Sequence, residues 1–354
     1  MKILKLTTLL NFGGQEKQYI SFTDKPDLLK FNYEFAAIGF GGNAEKILKE
    51  RGFEVHVLNR NFAIRNLSNI WAVYKLIKKV RPNLVHTAAA EANFFGILAA
   101  RLAGVPVIAE EIGIPNHSST AQKIFRWVYK GATKVICVSK SVKDYLVSIN
   151  EISQQKGVVV YNPVTFPPQL PMLESKEFTF VYVGRLEKVK NVDFLIRAFS
   201  EANLENSVLR IVGDGRERVV LELLVEELHL QNKVIFEGFS NQPFKYVNEA
   251  HVFVLPSLSE GFGIAAVEAM FAKKTVVCTE VGGIPEFVTH TENGFLFNPT
   301  ELDQLVSLLK LVYNMPKDQL KNIGEKGYDA VIEKFTVENY VKSLENVYNQ
   351  ILLP

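Results

Sequence analysis

Two glutamates spaced eight residues apart are the side chains in this sequence best suited to hold a polar ligand. Glu260 lies in a glycine-rich turn after a predicted strand, and Glu268 lies more than one turn inside a helix predicted to start near Gly263. The segment around them is otherwise apolar, and burying a carboxylate without a partner is unfavourable. Carboxylates that accept hydrogen bonds from vicinal sugar hydroxyls would be satisfied, whereas the alternative is a pair of solvated acids. The N–H groups exposed at the start of that helix would suit a phosphate.

Two cations follow an earlier predicted strand and could hold a diphosphate. Arg185 comes directly after Gly184 at the end of that strand, and Lys190 follows five residues after Arg185. An arginine can bind two phosphate oxygens at once, while a lysine acts as a point charge. The pair therefore predicts a diphosphate site, with two solvated surface cations as the alternative.

Three further glycine turns follow predicted strands, at Gly13–Gly14, Gly213–Gly215 and Gly282–Gly283. Ligands bind at the carboxyl ends of the strands in open α/β sheets. Glycine lets backbone N–H groups approach an anionic or sugar group closely. Each of these turns, taken alone, could equally be a structural connection.

One more turn, from Gly39 to Ala44, matches the G-x-G-x-x-A pattern of a dinucleotide-binding turn. It follows the second predicted strand of its domain, whereas that fingerprint belongs on the first. The next strand ends in Asn59 and Arg60 rather than in an acid, which excludes NAD and leaves NADP as the alternative ligand.

Metal and serine-nucleophile chemistry have no support in the sequence. None of the six histidines lies at a metal-ligand spacing from another histidine or a cysteine. Neither a G-x-x-x-x-G-K-[ST] phosphate loop nor a G-x-S-x-G turn occurs. We therefore expect neither a metal nor a resident cofactor.

Short apolar runs alternate with helical patterns along the chain, which is typical of parallel sheets with helices on both faces. The first series of predicted strands is Ile3–Leu9, Glu34–Ile38, Glu54–Leu58, Leu84–Thr87, Val105–Ala109, Lys134–Val138 and Gly157–Tyr161. The second series is Phe178–Val183, Val208–Val212, Lys233–Glu237, Val252–Pro256, Thr275–Thr279 and Gly294–Phe297.

A proline-rich segment separates the two series, since four of residues 162–176 are proline. We expect two doubly wound, Rossmann-like domains at 1–163 and 177–335, joined by a linker at 164–176. An amphipathic helix is predicted for the last segment, 336–354.

Length and composition agree with this organisation. The 354 residues suit two domains of roughly 150 residues each. Hydrophobic residues at 47 % and charged residues at 22 % exclude a disordered or fibrous chain. No apolar run approaches the ~18 residues of a spanning helix, and the start of the chain lacks the apolar core of a signal peptide. Cys137 and Cys278 are too few for a disulfide framework, so we expect a cytoplasmic protein.

Charge is distributed unevenly along the chain. Residues 1–163 hold 22 basic and 12 acidic side chains, a net charge of +10, whereas residues 164–354 carry −8. Basic residues are interleaved with aromatic ones in two predicted helices, which contain Trp71 and Trp127. Such helices can lie on an anionic membrane surface. The simpler interpretation places their aromatic rings in the core and leaves a solvated basic face.

The motifs GGQE, GRLEKVKN, IVGDG, SEGFGIAAVEAM and GGIPE, in this order, resemble those of the retaining nucleotide-sugar glycosyltransferases of family 4. The resemblance extends over nearly the whole chain and is most specific in Glu260 with Glu268 and in Arg185 with Lys190. It implies the GT-B fold, in which two Rossmann-like domains face a central cleft and the last helix crosses back to the N-terminal domain.

The resemblance also implies a role for each matching residue. Arg185 and Lys190 would hold the donor diphosphate and stabilise the leaving group, and Glu260 would bind the transferred sugar. Glu268 would bind the donor ribose. The remaining donor-binding positions would be the backbone at Gly13, Gly14, Gly184, Phe262, Gly263 and Ile264.

One departure from the family pattern concerns the acceptor side. Many relatives carry a histidine after the strand that corresponds to Val105–Ala109, but here the chain continues with Glu110 and Glu111. Either Glu111 or the nearby His117 faces the acceptor, or that function is absent.

The implied reaction moves a sugar from a nucleoside diphosphate, UDP or GDP, to a hydroxyl of a glycan or lipid-linked acceptor with retained configuration and no metal. Synthesis of a cell-envelope polysaccharide or glycolipid is the expected setting, on the inner face of the membrane and without a nucleic-acid partner. The alternatives are a sugar-nucleotide epimerase or phosphorylase of the same fold and a non-catalytic nucleotide-sugar sensor.

Overall fold

The computed structural model describes residues 1–11, 13–115, 117–165 and 177–353. They form two compact units, one from residues 1–165 with 335–353 and the other from residues 177–334. Residues 166–176, which make up most of the predicted linker, lie outside the described part of the chain. The domain limits derived from the sequence stay a prediction.

The described residues of the first unit build a parallel sheet of seven strands. The strands are β1 (Lys2–Thr7), β2 (Asn32–Ala37), β3 (Glu54–Val57), β4 (Leu84–Ala88), β5 (Val107–Glu111), β6 (Lys134–Cys137) and β7 (Gly157–Val159). Their order across the sheet is β3-β2-β1-β4-β5-β6-β7. The central strands β1 and β4 are almost entirely buried, which explains their continuous apolar runs.

Helices connect the strands of this sheet. They are α1 (Gly14–Thr23), α2 (Asn43–Glu50), α3 (Ser68–Val80), α4 (Ala90–Ala103), α5 (Ser119–Tyr129) and α6 (Lys140–Ser148). Crossovers are right-handed and the chain reverses its direction across the sheet after β3, so α1 and α2 lie on one face and α3 to α6 on the other. In agreement, α1 contacts α2, and α4 contacts both α3 and α5.

The described residues of the second unit form a parallel sheet of six strands. They are β8 (Phe178–Val183), β9 (Ser207–Val212), β10 (Val234–Gly238), β11 (Val252–Leu255), β12 (Thr275–Thr279) and β13 (Phe295–Phe297), in the order β10-β9-β8-β11-β12-β13. The helices are α7 (Val192–Ala202), α8 (Arg218–Glu227), α9 (Pro243–Glu249), α10 (Ile264–Phe271), α11 (Leu302–Asn314) and α12 (Lys317–Ile332). Within the described ranges of both units, no helix is both long and apolar enough to cross a membrane.

The final helix, α13 (Val337–Leu352), belongs to the core of the first unit. Tyr340 and Tyr348 are buried there in one cluster with Phe22 and Tyr33. The ring centroid of Phe22 lies 5.1 Å from that of Tyr33 and 6.0 Å from that of Tyr340. Lys5 of β1 is fully buried beside them, with its Nζ 5.1 Å from the centroid of the Phe22 ring. The first and last segments of the chain therefore complete one core.

All thirteen strands lie where the sequence predicts them, with ends that differ by a few residues. The most consequential difference concerns β5, which was predicted at Val105–Ala109 and runs from Val107 to Glu111. The N–H of Val105 donates to the carbonyl of Ala100 at 3.0 Å and so ends α4 instead of starting the strand. Glu110 and Glu111 consequently lie inside β5 and not in the loop after it.

Candidate functional site

Four loops meet at one edge of the second sheet. Strands β8, β9, β11 and β12 are parallel, so their carboxyl ends and the loops that follow lie on the same side. These loops carry the GRLEKVKN, IVGDG, SEGFG and GGIPE motifs. The topology therefore collects at one edge the motifs that the sequence spreads over about a hundred residues.

Lys190 and Glu260 form an ion pair in this loop cluster. The Nζ of Lys190 lies 2.6 Å from Oε1 of Glu260, although the two residues are 70 positions apart in the chain. Their side chains are only 18 % and 12 % exposed. The Oγ of Ser257 donates a second hydrogen bond to the same carboxylate oxygen at 2.8 Å. The two residues predicted to hold the diphosphate and the sugar are thus in direct contact.

Arg185 lies in the same loop as Lys190 and is exposed. Its backbone is held by the buried Tyr182, whose hydroxyl donates to the Arg185 carbonyl at 2.9 Å. The predicted residue Gly184 precedes it, and a Cβ at that position would meet the Tyr182 hydroxyl at 2.5 Å. The guanidinium of Arg185 is therefore exposed to solvent, while the backbone of this residue is held in place by Tyr182.

Backbone hydrogen bonds tie the loops to one another. The N–H of Gly184 donates to Val212, and the N–H of Leu186 donates to Asp214, each at 3.0 Å. Leu258, two residues before Glu260, donates its N–H to the carbonyl of Val189 at 2.8 Å. The loop that holds Lys190 is thus joined to its neighbours on both sides.

Gly282 fixes the position of the Glu260 loop. Its φ of +56° is in the left-handed region, and a Cβ there would lie 1.6 Å from the carbonyl oxygen of Glu260. Only glycine allows so close an approach of two backbones. The GGIPE loop therefore packs directly against the backbone of Glu260, the residue predicted to bind the transferred sugar.

The other predicted donor-binding residues lie at the start of α10. Phe262 is buried against Phe287, with ring centroids 5.6 Å apart. Gly263 precedes the helix, Ile264 is its first residue, and the partly buried Glu268 lies one turn further. Because these residues share one loop and helix with Glu260, a ligand held there would meet backbone N–H groups and two carboxylates together.

Gly13 and Gly14 lie in the first unit, at the start of α1. The carbonyl of Gly13 accepts a hydrogen bond from the N–H of Lys17 at 3.0 Å, which closes the first turn. The carboxylate of the buried Glu16 lies so close that a Cβ on Gly13 would be 2.4 Å from its Oε2. An acid in the first turn of a helix is favoured by the positive end of the helix dipole.

Glu110 belongs to a buried polar network on the α1 side of the first sheet. Its Oε2 lies 3.0 Å from Nε2 of His86, and its Oε1 accepts a hydrogen bond from Gln18 at 2.5 Å. Burial works to raise the pKa of Glu110, but contact with His86 and the positive charge of Lys5 lower it to about 2. Burial also lowers the pKa of His86 to about 4. His86 is therefore neutral, and its Nδ1 lies 2.6 Å from the hydroxyl of Tyr348.

Glu111 and His117, the two acceptor-side alternatives, are both occupied by partners. Glu111 accepts hydrogen bonds from Asn93, at 2.9 Å, and from the hydroxyl of Tyr129, and burial raises its pKa to about 7. His117 stacks on Phe125, and its Nδ1 lies 2.8 Å from the carboxylate of Glu151. That contact raises the pKa of His117. These contacts do not assign either Glu111 or His117 to the acceptor.

Sequence reasoning did not identify Ser257, Tyr182 or Glu151 as partners of the predicted residues. Ser257 could have been found, since it stands three residues before Glu260 in the same loop. Tyr182 and Glu151 carry no such signal, because their contacts depend on how the strands and helices pack. Over the described ranges, no three His, Cys, Asp or Glu side chains are arranged to hold a metal ion.

Comparison with known proteins matches both halves of the chain to families. Residues 39–166 match the family described as Glycosyltransferase Family 4, and residues 170–330 match Glycosyl transferases group 1. The chain is 28 % identical over 325 residues to the UDP-Gal:alpha-D-GlcNAc-diphosphoundecaprenol alpha-1,3-galactosyltransferase of Escherichia coli. That alignment covers 84 % of this chain and 83 % of the relative.

Solved structures share the fold over the full length. A glycosyltransferase from Rickettsia africae superimposes with a TM-score of 0.86 at 22 % identity, covering 99 % of this chain and 98 % of the other. Anabaena HepE, solved in complex with UDP-glucose, gives a TM-score of 0.85 at 22 % identity, covering 99 % and 100 %.

Proposed function

Since this chain belongs to glycosyltransferase family 4 and has the GT-B fold, we propose that it transfers a sugar from a nucleoside diphosphate to an acceptor hydroxyl with retained configuration. The observation that carries this proposal is the contact between Lys190 and Glu260 at 2.6 Å. A cation for the diphosphate and a carboxylate for the sugar stand side by side, as a sugar joined to a diphosphate requires.

Negative charge develops on the diphosphate as the bond to the sugar breaks. In our proposal Arg185 and Lys190 stabilise that charge. Lys190 is held in place before the donor arrives by Glu260, so little reorganisation is needed at the moment of reaction. The exposed Arg185 can bind two phosphate oxygens at once.

Glu260 and Glu268 are proposed to bind the hydroxyls of the donor. Glu260 would accept hydrogen bonds from the transferred sugar, and Glu268 from the ribose. Backbone groups at Gly184, Phe262, Gly263 and Ile264 would contact sugar and phosphate. We propose that Gly13 and Gly14 contribute backbone contacts to the donor phosphates.

The proposed step is a front-face substitution at the anomeric carbon. The bond from this carbon to the phosphate oxygen breaks, and its electron pair goes to the leaving diphosphate. The acceptor oxygen forms its new bond on the same face, which retains the configuration. Its proton passes to an oxygen of the departing phosphate, so all atoms and charges balance.

The E. coli relative suggests the class of substrates. Its name describes transfer from UDP-Gal to a sugar on diphosphoundecaprenol. We propose by analogy a UDP-sugar as donor, with a GDP-sugar as the alternative. The acceptor would be a glycan or lipid-linked sugar in the synthesis of a cell-envelope polysaccharide or glycolipid. The reaction would take place in the cytoplasm, at the inner face of the membrane.

A thermal-shift panel of UDP-, GDP-, ADP- and dTDP-sugars, with and without EDTA, tests the donor site. A donor at a hundred times its Kd should raise the free energy of unfolding by about 2.7 kcal/mol. We expect the protein to be stabilised by sugars of only one of these nucleoside diphosphates. This stabilisation should be unchanged by EDTA and lost in Glu268→Ala. Glu201→Ala, an exposed acid of α7 in the same unit, is the matched control and should respond like the unmodified protein. Stabilisation by NADP and by no nucleotide sugar would overturn the proposal.

Product stereochemistry tests the reaction. The anomeric proton of the product, followed by NMR from the start of the reaction, should show the configuration of the donor. An inverted product would contradict retention. Turnover without an acceptor, or only with inorganic phosphate, would identify an epimerase or a phosphorylase. Donor binding without any turnover over a broad acceptor panel would identify a sensor.

A further inference from the structure

Both tryptophans of the chain are exposed on one face of the first unit. Trp71 lies on α3 and is 61 % exposed, and Trp127 lies on α5 and is 59 % exposed. These helices belong to the same layer, because α4 contacts both of them on one side of the sheet. The simpler interpretation of the aromatic residues is therefore wrong for the tryptophans, although it holds for the buried Phe125 and Tyr129.

On α3 the exposed side chains form a single stripe. Leu67, Trp71, Lys75 and Lys78 follow one another at helical spacing, and all four are exposed. The ring of Tyr74 lies edge-on to Trp71 with centroids 5.3 Å apart, and the Nζ of Lys78 lies 5.8 Å from the Tyr74 centroid. The stripe thus joins an apolar end to a basic end.

On α5 the same pattern recurs. Lys123, Ile124, Trp127 and Lys130 are all exposed and lie on one side of the helix. The opposite side carries the buried residues of the helix, among them Phe125. Two neighbouring helices are separated by about 8–10 Å, so α3 and α5, on either side of α4, lie about 16–20 Å apart.

The lysines of this surface are not neutralised by acids. Glu91 is the only acidic residue in the sequences of α3, α4 and α5. Among the described residues, Lys75, Lys78, Lys123 and Lys130 form no ion pair. On α2, by contrast, the two lysines pair with Glu45 and Glu50 of the same helix.

We propose that the α3–α5 face, defined by Leu67, Trp71, Lys75, Lys78, Lys123, Ile124, Trp127 and Lys130, docks on a bilayer that contains anionic lipids. The two indole rings would enter the headgroup region, and the lysines would contact lipid phosphates. This inference rests on the proposed function for its setting, since a lipid-linked acceptor presents its reacting sugar at a bilayer surface.

The combination of residue types favours a bilayer over a protein partner. Lysine is depleted at protein–protein interfaces, whereas basic side chains beside tryptophan and aliphatic residues are typical of helices that lie on anionic membranes. Tryptophan is also enriched at the headgroup level. Here the two indoles lie on different helices, each with exposed lysines beside it, while binding hot spots of protein partners cluster at the centre of an interface.

Intrinsic fluorescence measures this docking directly, because both fluorescent indoles lie on the proposed face. Vesicles of phosphatidylcholine, with or without phosphatidylglycerol, are titrated into the protein, and bound protein is separated by flotation. We expect flotation and a blue shift of the emission only with phosphatidylglycerol. Added salt should weaken binding, because the attraction acts over a Debye length of about 10 Å at 0.1 M.

Variants separate the contribution of each residue type. Each lysine near an anionic surface contributes about fivefold to the partition coefficient. Combining Lys75→Ala, Lys78→Ala, Lys123→Ala and Lys130→Ala should therefore lower it by about 600-fold if all four lysines contribute. Trp71→Leu should remove part of the blue shift. The matched control is Lys46→Ala with Lys49→Ala on α2, which should bind like the unmodified protein.

Three results would overturn the proposal. They are absence of flotation by the unmodified protein, flotation with unchanged emission, and equal loss in the α2 control. An oligonucleotide that shifts the emission when vesicles do not would assign the face to nucleic acid instead. Donor binding in the thermal-shift panel is measured separately on the unmodified protein. Retained donor binding without flotation rejects the docking alone, and flotation without donor binding rejects the proposed function alone.

Discussion

Glu110 and Glu111 are consecutive residues of β5 whose carboxylates lie on opposite faces of the sheet, in environments that displace their pKa values in opposite directions. Glu110 faces His86 and Gln18, and its pKa falls to about 2. Glu111 faces Asn93 and Tyr129, and burial raises its pKa to about 7. The alternation of side chains along a strand is enough to separate them. The two acids therefore affect stability in opposite ways as the pH changes.

Replacing Glu111 by glutamine should stabilise the first unit above neutral pH. A carboxyl whose pKa is raised in the folded state contributes stability at low pH and loses it as the pH rises through the folded value, here about 7. Glutamine keeps the acceptor oxygen for Tyr129 and never ionises. We expect Glu111→Gln to gain about 1–3 kcal/mol at pH 8 and almost nothing at about pH 4, below the ordinary pKa of a glutamate. Hydrogen exchange of first-unit amides at the two pH values measures the difference.

Glu110→Gln is the matched control, one residue away in the same strand. It removes a carboxylate with a lowered pKa, so it should destabilise the first unit at pH 8. A gain of stability in both variants at pH 8, or in neither, would contradict the assigned environments.

Acid should remove the contribution of His86 to the stability of the first unit. Burial lowers its pKa from 6.5 to about 4, so the unfolded chain takes up a proton before the folded one does. This contribution is therefore complete above pH 6.5 and is lost as the pH drops to about 4, by an amount on the order of a few kcal/mol. In His86→Gln this part of the slope should vanish.

Urea unfolding between pH 7 and 4 measures that slope, and His229→Gln on the second unit serves as its control. An unchanged slope in His86→Gln would show that another group is responsible. Below pH 4 the protonation of Glu110 should continue the loss toward its pKa of about 2 in both proteins.

Loss of Lys190 should affect the chemical step of the proposed transfer. Removing one preorganised donor from a developing charge costs about 2.7–4 kcal/mol of barrier, so kcat of Lys190→Ala should fall about 100- to 1000-fold. Lys188→Ala, an exposed lysine of the same turn, is the control and should keep most of the activity. Equal losses in both variants would remove Lys190 from its proposed role.

Glu260→Gln tests the partner of Lys190. Glutamine can still accept a hydrogen bond from Ser257 but no longer neutralises the ammonium group. Because the two side chains are in contact, the effects of Lys190→Ala and Glu260→Gln should not add in the double variant. Additive effects in a double-mutant cycle would mean that the pair does not act as a unit.

Gly282→Ala should impair activity through the backbone of Glu260. Its Cβ would lie 1.6 Å from the Glu260 carbonyl, and its φ is +56°, so the loop must move. Gly52→Ala has a matching φ of +85° but meets nothing within 4 Å. Both variants should lose about 1–2 kcal/mol from the left-handed backbone, seen as a lower Tm. Only Gly282→Ala should also lose kcat/KM, and an equal loss in Gly52→Ala would exclude a specific effect on the site.

Sequence reasoning singled out residues that the structure brings together at one edge of the second sheet, because they lie in short motifs at strand ends. Lys190 and Glu260 were singled out by their types and positions, and the parallel sheet then brings them together. The contact between Gly282 and Glu260 was out of reach, since it depends on two loops separated by a whole strand and helix.

The first-unit network shows where sequence reasoning failed. Predicting the end of β5 two residues too early placed Glu110 and Glu111 in a loop and hid their alternation. The start of β5 is set by a hydrogen bond from Val105 back to α4. A pattern of apolar residues in the sequence does not reveal such a bond. Partners such as His86 and Tyr348, 262 residues apart, meet only through the packing of α13.

The position of α13 also bears on how the protein is made. A ribosome releases the amino-terminal end first, yet the core around Phe22 and Tyr33 lacks Tyr340 and Tyr348 until the whole second unit has been synthesised. The second unit is synthesised in full before that moment and can fold while still tethered. The first unit is thus the first to be synthesised but the last to complete its core. A nascent chain stalled before Val337 should therefore present an unfinished, chaperone-accessible first unit beside a finished second one.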